Sequence, residues 1–258
     1  SDMVDAEALV ASASDATPPI DWNGASDLTM IYTSGTTGRP KGAVRSAVGD
    51  PDLLRQLIAF VGYLPEDVYL STGPLYHSGP GGFLSIAHAL GNTVVLQRKF
   101  DAEDWLRLVQ THRVTATFSA PTPIRLVCQL PDAVKARYDR SSMQRMIANA
   151  APWSFALKEQ YMRDFGDDSL WEVYGSTELG VDTILRPEDQ RRKPGSCGRA
   201  APGVEVALFD DAGNRIESPR VPGELFVRSR SAFRTYHKAQ EKFEKGRRGD
   251  WLSVGDVA

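Results

Sequence analysis

This sequence has little of what marks the specialised classes of protein. It holds 2 cysteines in 258 residues, Cys128 and Cys197, far apart and outside any CxxC or Cys/His spacing. A disulfide framework or a zinc site is therefore not expected. No run of about eighteen apolar residues occurs, and no charged-then-apolar leader opens the chain, so membrane spanning and secretion both lack a signal. Basic residues are not in surplus: 30 Lys+Arg stand against 33 Asp+Glu, a formal net charge of −3. A general nucleic-acid binder needs a positive excess to neutralise phosphates, which argues against that class but not against one nucleotide in a local pocket. Internal repeats and low-complexity tracts are also missing. These absences leave a cytoplasmic enzyme or binding protein as the expectation.

What is present is ordinary in bulk: 41% hydrophobic residues, 24% charged, 22 Gly and 16 Pro. At roughly 150 residues per domain, the length suits one large domain or two modest ones. Residues 1–26 are rich in Ala, Ser, Asp and Pro without a sustained period, and read as a lead-in ordered only where it docks. From residue 28 the apolar, β-branched run Leu28-Thr29-Met30-Ile31-Tyr32-Thr33 predicts a buried strand feeding a loop. Strand patterns at 68–72, 93–97, 114–118, 144–148 and 170–174 alternate with helical spacing at 52–62, 79–90, 121–130 and 155–165. Asp101 reads as the N-cap of a further helix whose apolar face is Trp105, Leu106 and Val109. The alternation predicts an α/β fold of sheet-and-helix layers with a substantially parallel sheet, over residues 27–194. Beyond Pro194, alternating runs at 204–209 and 223–228 flank the turn chemistry of Asp210-Asp211-Ala212-Gly213-Asn214. Residues 195–258 are accordingly expected to form a smaller antiparallel, barrel-like β subdomain.

The most informative stretch is Thr33-Ser34-Gly35-Thr36-Thr37-Gly38-Arg39-Pro40-Lys41-Gly42. Its glycines let the backbone turn tightly and present N–H groups to an anion. Ser34, Thr36 and Thr37 add hydroxyl donors, Lys41 adds a point charge suited to phosphate, and Pro40 limits how far the lysine can wander. The stretch is neither a Walker A loop nor GxGxxG, because Lys41 follows Pro40 and precedes Gly42. Other catalytic signatures, GxSxG and HExxH among them, do not occur.

Residues Tyr32 to Gly42 resemble, at every fixed position, the phosphate loop of the adenylate-forming superfamily, which holds acyl-CoA synthetases, luciferases and peptide-synthetase adenylation domains. Further segments follow in the family's order. Tyr174-Gly175-Ser176-Thr177-Glu178 resembles its Tyr-Gly-x-Thr-Glu motif, and Asn149-Ala150-Ala151-Pro152 its Gly-x-Ala-Pro, with Asn in place of the first Gly. Asn tolerates left-handed backbone angles best among the non-glycine residues, so the turn is expected to survive. Ser253-Val254-Gly255-Asp256 is similar to the Thr-Gly-Asp strand end, and Pro74-Leu75-Tyr76-His77-Ser78-Gly79 to the segment bordering the acyl pocket. Thr235-Tyr236 stands where the family commonly has Gly-Tyr.

The resemblance implies roles. Thr33 to Gly38 and Lys41 would hold the phosphates of ATP, and Asn149 to Pro152 would lie beside the adenine that Tyr174 covers. Gly175, Ser176 and Thr177 complete the nucleotide site, with Thr177 and Glu178 at Mg²⁺ and Asp256 on the ribose hydroxyls. Lys41, Thr177 and Glu178 are the catalytic candidates, while His77 and Gly79 border the acid. Gly79, Gly81 and Gly82 are expected to leave space for a chain or ring, and a fatty acid is favoured over an aromatic one. The implied reaction is ATP-dependent activation of a carboxylic acid to acyl-AMP, then transfer to coenzyme A. A ligase loading an acyl carrier protein, an aryl-CoA ligase and a non-catalytic nucleotide-binding module remain alternatives. The family's hinge and small C-terminal domain, with the lysine that serves adenylation, have no counterpart before Ala258. The chain by itself is therefore expected to be inactive or very weak.

Overall fold

The structure, a computed structural model, describes residues 5–16, 28–33, 40–46 and 50–258. The lead-in holds a short helix that its composition did not announce, α1 (Ala6–Ser12), started by Asp5, whose carboxylate accepts from the N–H groups of Glu7 and Ala8. Two strands follow, β1 (Leu28–Thr33) and β2 (Lys41–Ser46), then α2 (Pro51–Val61), which ends where Gly62 takes φ 76°. Next come β3 (Val68–Ser71), α3 (Ser78–Ala89), β4 (Thr93–Leu96) and α4 (Ala102–His112). Asp101 caps α4 as expected, its side chain accepting from the Asp104 N–H at 2.8 Å. The next elements are β5 (Ala116–Ser119), α5 (Pro121–Cys128), α6 (Asp132–Lys135), β6 (Arg145–Ala148), α7 (Phe155–Phe165), β7 (Leu170–Ser176), β8 (Gly180–Leu185) and β9 (Arg199–Ala200). The chain then runs through β10 (Glu205–Phe209), β11 (Arg215–Ile216), β12 (Glu224–Arg228), β13 (Thr235–Tyr236), α8 (Gln240–Lys245), β14 (Arg247–Arg248) and β15 (Trp251–Leu252).

The central sheet has 7 strands in the order β4-β3-β5-β6-β7-β8-β9. Its first five strands pair in parallel, and β8 and β9 add antiparallel at one edge. Side-chain alternation along the strands feeds two apolar layers. Met146 and Ala148 join a cluster with Trp105, Ile124, Tyr161 and Phe165 from α4, α5 and α7. Ile147, between them, joins the opposite cluster with Tyr69, Phe83, Ile86 and Phe118, against α2 and α3. Helices therefore cover both faces of a mostly parallel sheet, the mixed α/β architecture that the alternating pattern predicts.

A second sheet of 5 strands, β11-β10-β12-β15-β14, is antiparallel throughout. The third sheet corrects an expectation. β1 is not a buried strand of the main sheet: it pairs with β2 as an antiparallel hairpin, Thr33 opposite Lys41, and β13 joins the far edge of β2. Tyr32 is 62% exposed, so an apolar, β-branched run here marks a half-exposed hairpin strand. No helix among the described residues is long and apolar enough to cross a membrane.

Candidate nucleotide and acid site

The parallel strands bring the motifs together because the loops at their C-terminal ends share one edge, where open α/β sheets place ligands. The segment 74–78 follows β3, Asn149 follows β6, and Thr177 follows β7. Ser78 Oγ and Thr177 Oγ1 lie 2.7 Å apart, a direct bond between two segments 99 residues apart in sequence.

The turn after β7 is shaped by its glycines. The β7–β8 pairing shifts register between Tyr174 and Gly175, and Gly180 takes φ 94°. A Cβ on Gly175 would stand 1.9 Å from the carbonyl oxygen of Gly180, so no other residue fits there. Ser176 Oγ accepts the Leu179 N–H at 3.0 Å and holds the turn closed. Arg45 of β2 fixes it from the other side, donating to the carbonyls of Thr177 and Glu178 and to that of Ser231.

Glu178 is where the hairpin meets the sheet. Its Oε1 accepts from Tyr236 Oη at 2.9 Å and from Thr33 Oγ1 at 3.2 Å, and its side chain is buried. Burial, then the Glu178 carboxylate, pushes the Tyr236 hydroxyl above its ordinary range. Lys41, opposite Thr33, reaches over the Tyr236 ring with Nζ 5.8 Å from the centroid. Ser34, Gly35, Thr36, Thr37 and Gly38 lie outside the described residues.

At the adenine and ribose candidates, Tyr174 Oη donates directly to an Asp256 carboxylate oxygen. Burial first, and Asp256 second, raise the Tyr174 hydroxyl above its ordinary range. Asn149 departs from expectation: the left-handed angle falls on Ala150, φ 68°, rather than on Asn149. Asn149 uses its side chain instead, donating from Nδ2 to the Val173 carbonyl and accepting the Ala150 N–H on Oδ1. That brace joins the end of β6 to β7, and Ala150, Ala151 and Pro152 stand exposed beyond it. His77 is exposed and caps α3, its Nδ1 accepting the Gly79 N–H at 3.2 Å.

The space expected beside the glycines of α3 is mostly filled. A Cβ on Gly79 would fall 2.4 Å from the Phe118 ring, and one on Gly81 would fall 2.5 Å from the Leu75 carbonyl; Gly82 alone meets nothing within 4 Å. Gly79 and Gly81 are therefore close-packing positions.

No group of three His, Cys, Asp or Glu that could hold a metal exists among the described residues. One carboxylate does fit a Mg²⁺ that keeps its waters and takes most of its other oxygens from phosphate, and Glu178 is placed for that.

Asp182 on β8 was not anticipated. It is fully buried, and neither carboxyl oxygen has a hydrogen-bond partner among the described residues. Burial pushes it up to about 8, with Asp256 adding to the rise and Arg45 opposing it. An unfolded Asp loses its proton near about 3.9. Between that pH and about 8 the unfolded chain binds fewer protons than the folded one, so Asp182 lowers stability as pH rises through this window. Asp182→Asn is expected to flatten that slope and to be more stable than the unaltered protein at pH 8. Thermal unfolding of both proteins from pH 5 to pH 8 checks it, and parallel curves would sink the assignment.

With this geometry in place, comparison with known proteins is decisive. The family model described as AMP-binding enzyme matches residues 1–237. The chain belongs to the AMP-binding enzyme family. Among relatives in this family, an indoleacetate–CoA ligase of Aromatoleum aromaticum is 33% identical over 97% of this chain and 49% of its own length. A 4-coumarate–CoA ligase-like protein of Arabidopsis thaliana is 27% identical over 88% of this chain and 42% of its own. The ATP-bound structure of MatB from Rhodopseudomonas palustris superimposes with a TM-score of 0.80, at 29% identity, over 97% of this chain and 49% of that one. The chain thus spans about half the length of the relatives it matches.

Proposed function

We propose that this chain is the nucleotide- and acid-binding core of an AMP-forming acid–thiol ligase. The observation that carries the reading is the meeting of the Thr33–Lys41 hairpin with the Thr177–Glu178 turn, which gathers a lysine, two hydroxyls and one carboxylate at a single edge. On this reading residues 27–194 hold nucleotide and acid, and residues 195–258 form a β-rich part that contributes Asp256. Tyr174 covers the adenine beside 149–152, Asp256 accepts from the ribose hydroxyls, and Lys41 with the hydroxyls of the 33–38 segment receives the phosphates.

A carboxylate oxygen of the acid attacks the α-phosphorus of ATP, the bond to the β-phosphate bridging oxygen breaks, and pyrophosphate leaves. The sulfur of coenzyme A then attacks the acyl carbon and AMP departs. Both steps depend on alignment and charge neutralisation rather than on a side-chain nucleophile. Lys41 neutralises charge on the departing phosphates, and the Thr177 hydroxyl, held by Ser78, is fixed before substrate arrives. Glu178 is the residue that would hold a Mg²⁺, which would supply further charge neutralisation at the phosphates. Arg45 keeps Glu178 in place through the backbone.

For the acid, a compact aryl or aryl-alkyl carboxylate is the better reading. The two relatives are named for indoleacetate and for a resemblance to 4-coumarate ligases. The filled space at Gly79 and Gly81 speaks against a long tunnel at that point. ATP–pyrophosphate exchange by the intact protein, across a panel of aryl and fatty acids, tests both levels. Exchange with aryl acids supports the reading, exchange confined to fatty acids overturns the acid class, and no exchange with any carboxylate overturns the activity.

A further inference from the structure

Tyr236 has no part in the proposed chemistry, yet it belongs to the segment that grips Glu178 at both ends. That segment is short. β13 is only Thr235 and Tyr236, paired with Val44 and Ala43 of β2. Its flanks lengthen the hold: the Arg234 N–H donates to the Val44 carbonyl and the His237 N–H to the Gly42 carbonyl, both at 2.8 Å. The Tyr236 ring is buried, with the Phe233 ring edge-on at 4.7 Å. Phe233 in turn packs edge-on against Phe243 at 5.2 Å. A ring packed in this way is fixed before any ligand arrives, and its hydroxyl is aimed.

The target of that hydroxyl is Glu178. The Phe233 N–H donates to the Glu178 carbonyl at 2.7 Å, while Tyr236 Oη donates to its carboxylate at 2.9 Å. The second carboxylate bond comes from Thr33 Oγ1, at the longer distance of 3.2 Å. Among the described residues both of these bonds fall on Oε1. Two donors from opposite strands, β1 and β13, set the plane of the carboxylate and leave Oε2 for a cation. Mg²⁺ demands near-octahedral geometry, so a ligand that swings free serves it poorly. Groups that bond to a ligating side chain, and not to the metal, supply that orientation.

We propose that Tyr236 is a positioning residue for the metal: its hydroxyl holds Glu178 so that Oε2 is presented to the Mg²⁺ that accompanies the nucleotide. The inference rests on the functional reading above for the metal and the nucleotide. Tyr236 itself touches neither, and it gives up no proton.

Tyr236→Phe isolates the hydroxyl, because the ring under Lys41 and against Phe233 is kept. Mn²⁺, a paramagnetic stand-in for Mg²⁺, is titrated by electron paramagnetic resonance into the intact protein with ATP bound. Calorimetry in a chelator measures ATP binding without metal. Tyr236→Phe is expected to weaken Mn²⁺ in the protein–ATP complex by about tenfold or more, with metal-free ATP affinity unchanged. Tyr138→Phe, which removes a tyrosine–carboxylate bond to Glu103 away from the site, is expected to change neither. Unaltered Mn²⁺ affinity in Tyr236→Phe overturns the inference, as does an equal loss of metal-free ATP binding, which would make the hydroxyl part of the nucleotide seat. Both of those results leave the functional reading standing. No ATP binding by the unaltered protein overturns that reading, and the inference falls with it.

Discussion

Lys41→Ala is expected to lower carboxylate-dependent ATP–pyrophosphate exchange by about 100-fold or more, the usual consequence of removing one preorganised electrostatic contact from a phosphate-transfer site. The position argues for so large an effect. Lys41 is the first residue of β2, fixed in register opposite Thr33 and directly followed by the paired residues Gly42 to Ser46. Its ammonium lies over the ring of Tyr236, whose hydroxyl donates to Glu178. The side chain is only half-buried, so its loss is expected to change stability by less than about 1 kcal/mol. The loss of exchange is then a charge effect and not a folding one. Exchange kinetics beside thermal unfolding separate the two. Near-normal exchange in a folded Lys41→Ala protein, with ATP bound as before, would remove the basis for the proposed chemistry.

Arg145→Ala is expected to destabilise the fold by about 3–5 kcal/mol, because it strands a buried carboxylate. Arg145 Nη1 lies 2.7 Å from Asp67 Oδ1, with both side chains less than 10% exposed. Asp67 also accepts from Thr115 Oγ1 at 2.7 Å and from the Leu64 N–H at 2.7 Å. The group ties together the entries of three adjacent strands, β3, β5 and β6, and the Arg145 guanidinium lies 5.9 Å from the Tyr63 ring centre. Replacing both members at once, as Asp67→Ala with Arg145→Ala, should cost less than the sum of the single changes, since neither charge is then left alone. Urea unfolding of the three variants measures this. A single-variant loss below about 1 kcal/mol would mean that water reaches the pair and that the carboxylate is not stranded.

The parts of this fold that depend on near neighbours were legible in the sequence. Asp101 caps α4 as expected, its carboxylate accepting the Asp104 N–H three residues on. The helix expected at 155–165 is found as α7 (Phe155–Phe165). The strands expected at 144–148 and 170–174 are found as β6 (Arg145–Ala148) and β7 (Leu170–Ser176).

What the sequence concealed depends on distant partners. Nothing local to Leu28–Thr33 says that its neighbour is β2 and not a strand of the main sheet. Gly79 and Gly81 look like open space in one dimension, yet in three the Phe118 ring and the Leu75 carbonyl occupy it. In sequence Asn149 offers backbone freedom, but in the fold its side chain does the bridging, to a carbonyl 24 residues away. Arg45 and Asp182 carry no motif at all; each matters through residues far along the chain. Ser78 shows no local sign that its hydroxyl meets Thr177, 99 residues further on.

The pairing of β13 with β2 also orders events in time. Translation makes β1 and β2 well before their third strand, at Thr235–Tyr236, which follows only after nearly two hundred further residues. Until then Glu178 lacks its Tyr236 partner, and Lys41 lacks the ring it rests on. The parallel sheet can form while the chain is still on the ribosome, whereas the proposed phosphate end of the site has to await the emergence of β13. On the proposed reading, a nascent chain halted before residue 235 would hold a folded sheet beside an unfinished nucleotide site, and the phosphates of ATP would lack part of their seat until synthesis had passed that point.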